Sequence, residues 1–409
     1  MTWAIQKSST GERARSGEPD GPVRAVVLLD HPAQHFSRGF QLLASHPELE
    51  LNVFYWDAAT GGMADPEFGR HIRWEADLHS GYPWWSPPDG HASWRRCLAA
   101  WRQLRRLRPQ VILCYGWGSR IARLGVLFAI LYRTRLLFYG DSTWQYSGSG
   151  RHLHLRKIVL RALFRIATGA VSTGTFNREF YIAHGVDPQR VHPGVCPADT
   201  ESFTPATGSS PRRGPSGGSD PVIIGFVGKF LANKAPDDLV EAVARLPRDR
   251  SFELWLIGDG PLRPQLEFLV RDRRLTQHVK FLGFRNTDEL PSLMSAIDVL
   301  VVPSHKDRRV LVAIEAMTAG AAVILSTGTA VWGPGDLVQH EVNSLIYPAG
   351  DVDGLSRCLL RLVDDARLRA RLAAAGQVRA KSFGPQDFAA TTAAALLSTS
   401  RMRDHAAAR

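Results

Sequence analysis

Short apolar runs of strand length alternate with helical stretches along this chain, and the alternation plays out twice. It begins with "VRAVVLLD" (Val23 to Asp30), a strand, then a loop and helix in "HPAQHFSRGFQLLASHP" and a second strand in "LELNVFYW". Strand-like runs recur at "VILCYGW", "RLLFYGDS" and, more briefly, "GAVSTG". At Thr204 to Pro221 the composition turns to Pro, Gly and Ser ("TPATGSSPRRGPSGGSDP"), as in a flexible linker. Beyond it "VIIGFVGKF", "APDDLVEAVARLP", "FELWLIGDG", "LRPQLEFLVRDRRL", "VKFLGF", "TDELPSLMSAI" and "DVLVVPS" read as strand and helix by turns. Such alternation calls for parallel sheets covered on both faces. The expectation is two doubly wound α/β domains, 22–203 and 222–385, joined by a linker at 204–221. Residues 1–21 are polar and read as a disordered leader, and 386–409 as a helix returning to the first domain, then a tail. In such folds ligands bind beyond the carboxyl ends of the strands, so the cleft between the domains is the expected site.

Charge narrows the partners. Between Arg95 and Arg165 there are fifteen Lys or Arg and a single acid, Asp141. That field would attract an anionic acceptor or draw the first domain to an anionic membrane surface, as a peripheral contact on the inner face; a solvated arginine-rich surface is the plain alternative. No nucleic-acid motif accompanies it, so nucleic acid is not expected as a partner. The apolar run Leu124 to Tyr132 is about half of what a membrane span needs. The four cysteines, Cys97, Cys114, Cys196 and Cys358, show no metal-ligand spacing and read as reduced thiols of a cytoplasmic protein.

Four strand ends in the second half carry the chemistry. In "GFVGKFLANKAPDDL" a strand closes at Gly228, Lys229 follows, and Lys234 stands just before a helix with Pro236 in its first turn. Two ammonium groups near open backbone N–H groups make a phosphate site, although two solvated lysines would look the same. "LIGDGP" places Gly258 and Gly260 at another strand end, where the chain turns tightly and a ligand can approach the backbone. In "FLGFRNTDEL", Gly283 and Phe284 close a strand, and Asn286 or Thr287 is placed to cap the next helix; Phe284 either holds a base or belongs to the core. Last, "VVPSHKDRRVLVAIEAMTAGAAVILST" runs strand, loop, helix, strand, with Asp307 eight residues before Glu315 on an otherwise apolar helix. A carboxylate there either looks out at solvent or pairs with a ligand at the sheet edge.

Taken in this order, Gly228-Lys229, Lys234, Gly258-Asp259-Gly260, Gly283-Phe284 and Asp307 to Glu315 resemble the C-terminal domain of retaining GT-B glycosyltransferases of family 4. The resemblance covers Val222 to about Phe383 and is fainter over Val23 to Phe203. It implies two Rossmann-like domains facing across a cleft, and transfer of a hexose-type sugar from a nucleoside-diphosphate sugar, a UDP- or GDP-sugar, with no cofactor. It implies that Glu315 accepts the ribose hydroxyls and Asp307 faces the transferred sugar. Gly228, Lys229, Lys234, Gly258, Gly260, Phe284, Val310 and Leu311 would surround the nucleotide. This chain departs from the family's pattern. Asp307 replaces a glutamate, Arg308-Arg309-Val310 replaces Pro-Phe-Gly, and Ala235 replaces a glycine. Two lysines suffice to neutralise a departing diphosphate, and no Asp-x-Asp or His/Cys cluster calls for a metal.

The acceptor is expected on the first domain, and it could be a carbohydrate, a lipid-linked intermediate or a small molecule. His31 and His35 follow the first strand, and Asp141 follows another; His35 or Asp141 is the candidate base, with solvated histidine and structural acid as the plain alternatives. "GYPWWSPP" is either a sugar-stacking loop or ordinary packing. A catalytically silent sugar-nucleotide-binding partner of another transferase, or another GT-B enzyme such as an epimerase, is the alternative reading.

Overall fold

The computed structural model describes residues 21–402 apart from 59–62, 66–69, 73–77, 89–91, 144–151, 206–219 and 309. The leader expected at 1–21 and the linker expected at 204–221 therefore fall almost wholly outside the described residues.

The first domain starts with β1 (Val23–Leu29), α1 (Gln34–Ala44) and β2 (Leu49–Tyr55). A short antiparallel pair, β3 (Met63–Asp65) and β4 (Arg70–Ile72), stands apart from the main sheet. Next come β5 (Trp84–Trp85), α2 (Ser93–Leu107), β6 (Val111–Tyr115), α3 (Arg120–Tyr132), β7 (Arg135–Gly140), α4 (His152–Ile166), β8 (Gly169–Ser172), α5 (Thr175–Ala183) and β9 (Val191–Pro193). The main sheet is parallel throughout, in the order β5-β2-β1-β6-β7-β8-β9. The tryptophans of "GYPWWSPP" form its edge strand, with Trp85 against Phe54 at 4.9 Å between ring centroids. Side chains alternate across each strand, so β1 sends Ala25 and Val27 to one face and Val26 and Leu28 to the other. α2 to α5 cover the second of these faces, and α1 covers the first.

A short α6 (Thr200–Phe203) leads into the second domain. There β10 (Val222–Val227), α7 (Pro236–Ala244), β11 (Phe252–Ile257), α8 (Arg263–Asp272), β12 (Val279–Gly283), α9 (Leu290–Ala296), β13 (Val299–Val302), α10 (Leu311–Thr318), β14 (Ala322–Ser326) and β15 (Leu345–Tyr347) follow one another. α11 (Val352–Asp364) and α12 (Ala366–Ala380) complete it. Its sheet, also parallel, has the order β12-β11-β10-β13-β14-β15. The order reverses between β10 and β13, so the loops leaving these two strands diverge and open a crevice at their carboxyl ends.

The chain then crosses back. α13 (Pro385–Arg401) lies on α1 of the first domain. Phe388 enters that core, 5.4 Å from the Phe36 ring, 5.7 Å from Phe40 and 5.9 Å from Tyr139. Gly39 makes room for it, since a Cβ there would stand 2.4 Å from the Phe388 ring. None of the described helices is long and apolar enough to cross a membrane.

Candidate active site at the interdomain cleft

The loop after β10 and the loop after β13 are tied together at the bottom of the crevice. Lys306 N–H donates to the Asn233 carbonyl, and the Asn233 amide donates to the Lys306 carbonyl, both at 3.2 Å. Beside this pair, Lys234 Nζ sits 2.5 Å from Asp307 Oδ2. Ser304 Oγ donates to the same carboxylate oxygen at 3.3 Å. The Asp307 backbone is pinned as well: its N–H donates to Gly328 O at 3.0 Å, and its carbonyl accepts from Ala330 N–H at 3.2 Å. The Asp307 side chain is 11% exposed and that of Lys234 27%, so the pair is largely shielded but still open to the cleft. Lys229 lies half-buried on the same β10 loop. Ala235 is held at φ +49°, a left-handed conformation that costs a residue with a Cβ about 1 kcal/mol.

The strand-end glycines are laced side by side. Gly228 N–H donates to Ile257 O at 3.0 Å, and Gly258 N–H to Gly283 O at 2.8 Å, extending the ladder past the strands. A Cβ on Gly258 would lie 1.9 Å from the Gly228 carbonyl oxygen, and one on Gly260 would lie 2.7 Å from the Phe230 carbonyl oxygen. Both glycines therefore serve first to seat the β11 loop on the β10 loop. Gly283, at φ +71°, has open space where a Cβ would stand, and Phe284 beside it is 39% exposed rather than core. The cap expected from Asn286 or Thr287 takes another form. Glu289 immediately precedes α9 and accepts from Asn286 N–H at 3.1 Å. Thr287 reaches across to the first domain instead, where its hydroxyl meets Gln34 Oε1 at 3.4 Å.

Glu315 occupies the second turn of α10, between the buried Ile314 and Ala316. Among the described residues no hydrogen bond or ion pair reaches its carboxylate. Desolvation, with a smaller contribution from the negative charge of Asp199, pushes its pKa up to about 7. Among the described residues no side chain caps the N-terminus of α10, and Val310 and Leu311 at that end line a pocket between the domains. The N–H groups of this first turn carry partial positive charge.

The facing wall belongs to the first domain. Asp141, Thr143 and Thr173 line the same pocket as Arg308, Val310 and Leu311, so the single acid of the basic stretch does face the second domain's loop. The β7 loop carrying Asp141 is held by Asn177, whose amide donates to Ser142 O at 2.8 Å. His35 is placed on the first turn of α1, half-buried, its ring 4.2 Å from that of Phe36, and it does not line this pocket. His31 is exposed.

One participant escaped the sequence reading. Asp336, only 7% exposed, accepts from the Thr175 N–H at 2.9 Å, from the Thr175 hydroxyl at 3.2 Å and from the Gly333 N–H at 2.8 Å. Gly174, which precedes α5, has no side chain to cap that helix, so an acid of the second domain caps a helix of the first. Burial raises the Asp336 pKa, and the bonds from Thr175 and Gly333 oppose the rise. The ring of Phe176 against that of Trp332, at 4.8 Å, extends the clasp. The Gly-Pro-Gly-Asp turn at 333–336 was the available signal.

Two facing Rossmann-like domains with these strand orders, bridged by a C-terminal helix, make this a GT-B fold. Residues 212–379 match the family "Glycosyl transferases group 1". The chain is 35% identical over 205 residues to a 2-deoxystreptamine glucosyltransferase of Streptomyces kanamyceticus, covering 50% of each chain. It is 28% identical over 307 residues to the lipopolysaccharide core biosynthesis glycosyltransferase LpsD of Rhizobium meliloti, covering 74% of this chain and 80% of that one. The match thus spans about half the length of the first relative and four-fifths of the second. Among solved structures, HepE of Anabaena in complex with UDP superposes with a TM-score of 0.69 at 17% identity, covering 92% of this chain and 100% of that one.

Proposed function

We propose that this protein is a retaining, metal-independent glycosyltransferase that moves a hexose-type sugar from a nucleoside-diphosphate sugar, UDP- or GDP-linked, to an acceptor hydroxyl in the cytoplasm. The observation that carries the reading is a lysine–carboxylate pair at the sheet's switch point, followed on the next helix by a half-buried glutamate that no described group satisfies. In this reading the ribose hydroxyls donate to Glu315. The diphosphate lies against Lys229, Lys234 and the uncapped start of α10 at Val310 and Leu311. As the phosphate takes Lys234, Asp307 is released to accept from hydroxyls of the transferred sugar. The bond between the anomeric carbon and the phosphate oxygen breaks, and the lysines and helix N-terminus neutralise the charge left on the diphosphate. The acceptor oxygen bonds to the anomeric carbon on the same face, and its proton passes to the departing phosphate oxygen. Asp141 faces the acceptor and orients its hydroxyl.

The fold shared with HepE, whose solved complexes contain UDP and UDP-glucose, supports a UDP-sugar. The relatives named for 2-deoxystreptamine and for lipopolysaccharide core support a carbohydrate-like acceptor. The test is nucleotide release from UDP- and GDP-hexoses with carbohydrate, lipid-linked and small-molecule acceptors, without added metal. Proton NMR then reads the anomeric configuration of the product. Retention is expected. An inverted product refutes the mechanism, and nucleotide binding without turnover on any acceptor favours the silent-partner reading.

A further inference from the structure

Nine of the fourteen large apolar side chains exposed among the described residues sit on just three helices, α2, α3 and α4. Together with α5 these helices form the outer layer on one face of the first sheet, opposite α1 and α13. Their inward stripes are already committed to the core, through Leu104 in α2, Phe128 in α3 and Phe164 in α4. Helical spacing therefore turns Trp94, Leu98, Leu127, Leu131, Ile158 and Ile166 outward. Trp94, Leu131 and Ile158 are each more than 60% exposed, so they are not marginal members of the core. On these same outer stripes stand Arg102, Arg105, Arg123 and Arg165. None of the three helices contains an acid.

Apolar side chains in such number on one layer mark an interaction surface. The charge selects the partner. A second copy docking through the same face would set two cationic fields against each other. A polyanion such as nucleic acid would use the arginines but leave the outward Leu and Ile in water. An anionic bilayer satisfies both, since headgroup phosphates meet the guanidinium groups while Leu, Ile and Trp enter the boundary with the acyl chains. We infer that the outer face of α2, α3 and α4 docks on the surface of an anionic lipid bilayer. This does not depend on the assigned donor site.

The test is flotation of the full chain with vesicles of phosphatidylcholine alone and of phosphatidylcholine with added phosphatidylglycerol. The protein should float with the anionic vesicles only, and less so as salt rises. Leu127→Gln combined with Leu131→Gln should lower partitioning at least tenfold. Arg105→Gln and Arg165→Gln should each lower it about fivefold. All four side chains are exposed, and an unchanged thermal midpoint verifies that the variants fold. Equal flotation with both vesicle types overturns the inference. So does loss in the arginine variants with none in the leucine variants, which is simple charge attraction, or a doubled solution mass that the leucine variants abolish, which is a second copy on this face.

Discussion

Glu315→Gln isolates the cost of desolvating an acid that no described residue satisfies. Its carboxyl has a pKa of about 7 in the folded chain, against 4.5 in its ordinary setting. Between these pH values the folded state holds the proton and the unfolded state has lost it. The native form then binds more protons, and stability falls as pH rises through the window. A shift of this size amounts to about 3 kcal/mol, and because the side chain is half-buried and reached by some solvent, about 2 kcal/mol is expected. Glutamine keeps the shape and cannot ionise. At pH 8 the variant should unfold about 4–8 °C higher than the parent in the second domain's calorimetric transition, and at pH 4.5 the two should nearly coincide. A gap of equal size at both pH values, or a variant less stable at pH 8, would refute the reasoning, because either result means the carboxylate is satisfied within the fold.

Other perturbations separate the remaining parts. If the diphosphate lies on Lys234 as proposed, Lys234→Ala removes a charge-assisted contact to it, and nucleotide affinity should fall roughly 10- to 150-fold by titration calorimetry; an unchanged affinity would place the phosphate elsewhere. Gly258→Ala drives a methyl to 1.9 Å from a carbonyl oxygen at φ +139° and should cost roughly 3 kcal/mol or more, read as a lower thermal midpoint. An unchanged midpoint would mean the two loops do not interlock as described. Asp336→Ala uncaps α5 and should cost about 1–2 kcal/mol, with faster hydrogen exchange at the amide of Thr175; unaltered exchange would show that the interdomain cap is not held in solution.

β10 to β13 of the second domain were legible because each is a largely apolar run ended by Gly or Pro, as at Val299–Val302 before Pro303. Elements made by partners rather than by pattern were not. β5 is two tryptophans, and β15 is three residues added at a sheet edge, too short for any periodicity to declare. α11 did carry its signal, with Leu355, Leu359 and Leu362 on one buried face, but the sequence reading passed over it. At the site, turn chemistry marked Gly228, Gly258 and Gly283 individually. That Gly258 and Gly260 are required by neighbouring loops, rather than only by a ligand, needed the packing of β10 against β11. The Lys234–Asp307 pair joins residues 73 apart, and the Asp336 cap joins two domains. No local rule links such positions; they are consequences of the switch in strand order and of domain closure.

The most direct test of the donor site is titration calorimetry of the full chain against UDP and GDP without added metal, at pH 6 and pH 8, beside Glu315→Gln and Lys234→Ala. The account predicts that one nucleotide binds, that binding tightens between pH 6 and 8 as Glu315 gives up its proton to accept the ribose hydroxyls, and that this Glu315-dependent part of the pH effect vanishes in Glu315→Gln. Binding that neither variant weakens, or that shows the same pH dependence with glutamine at 315, would contradict it.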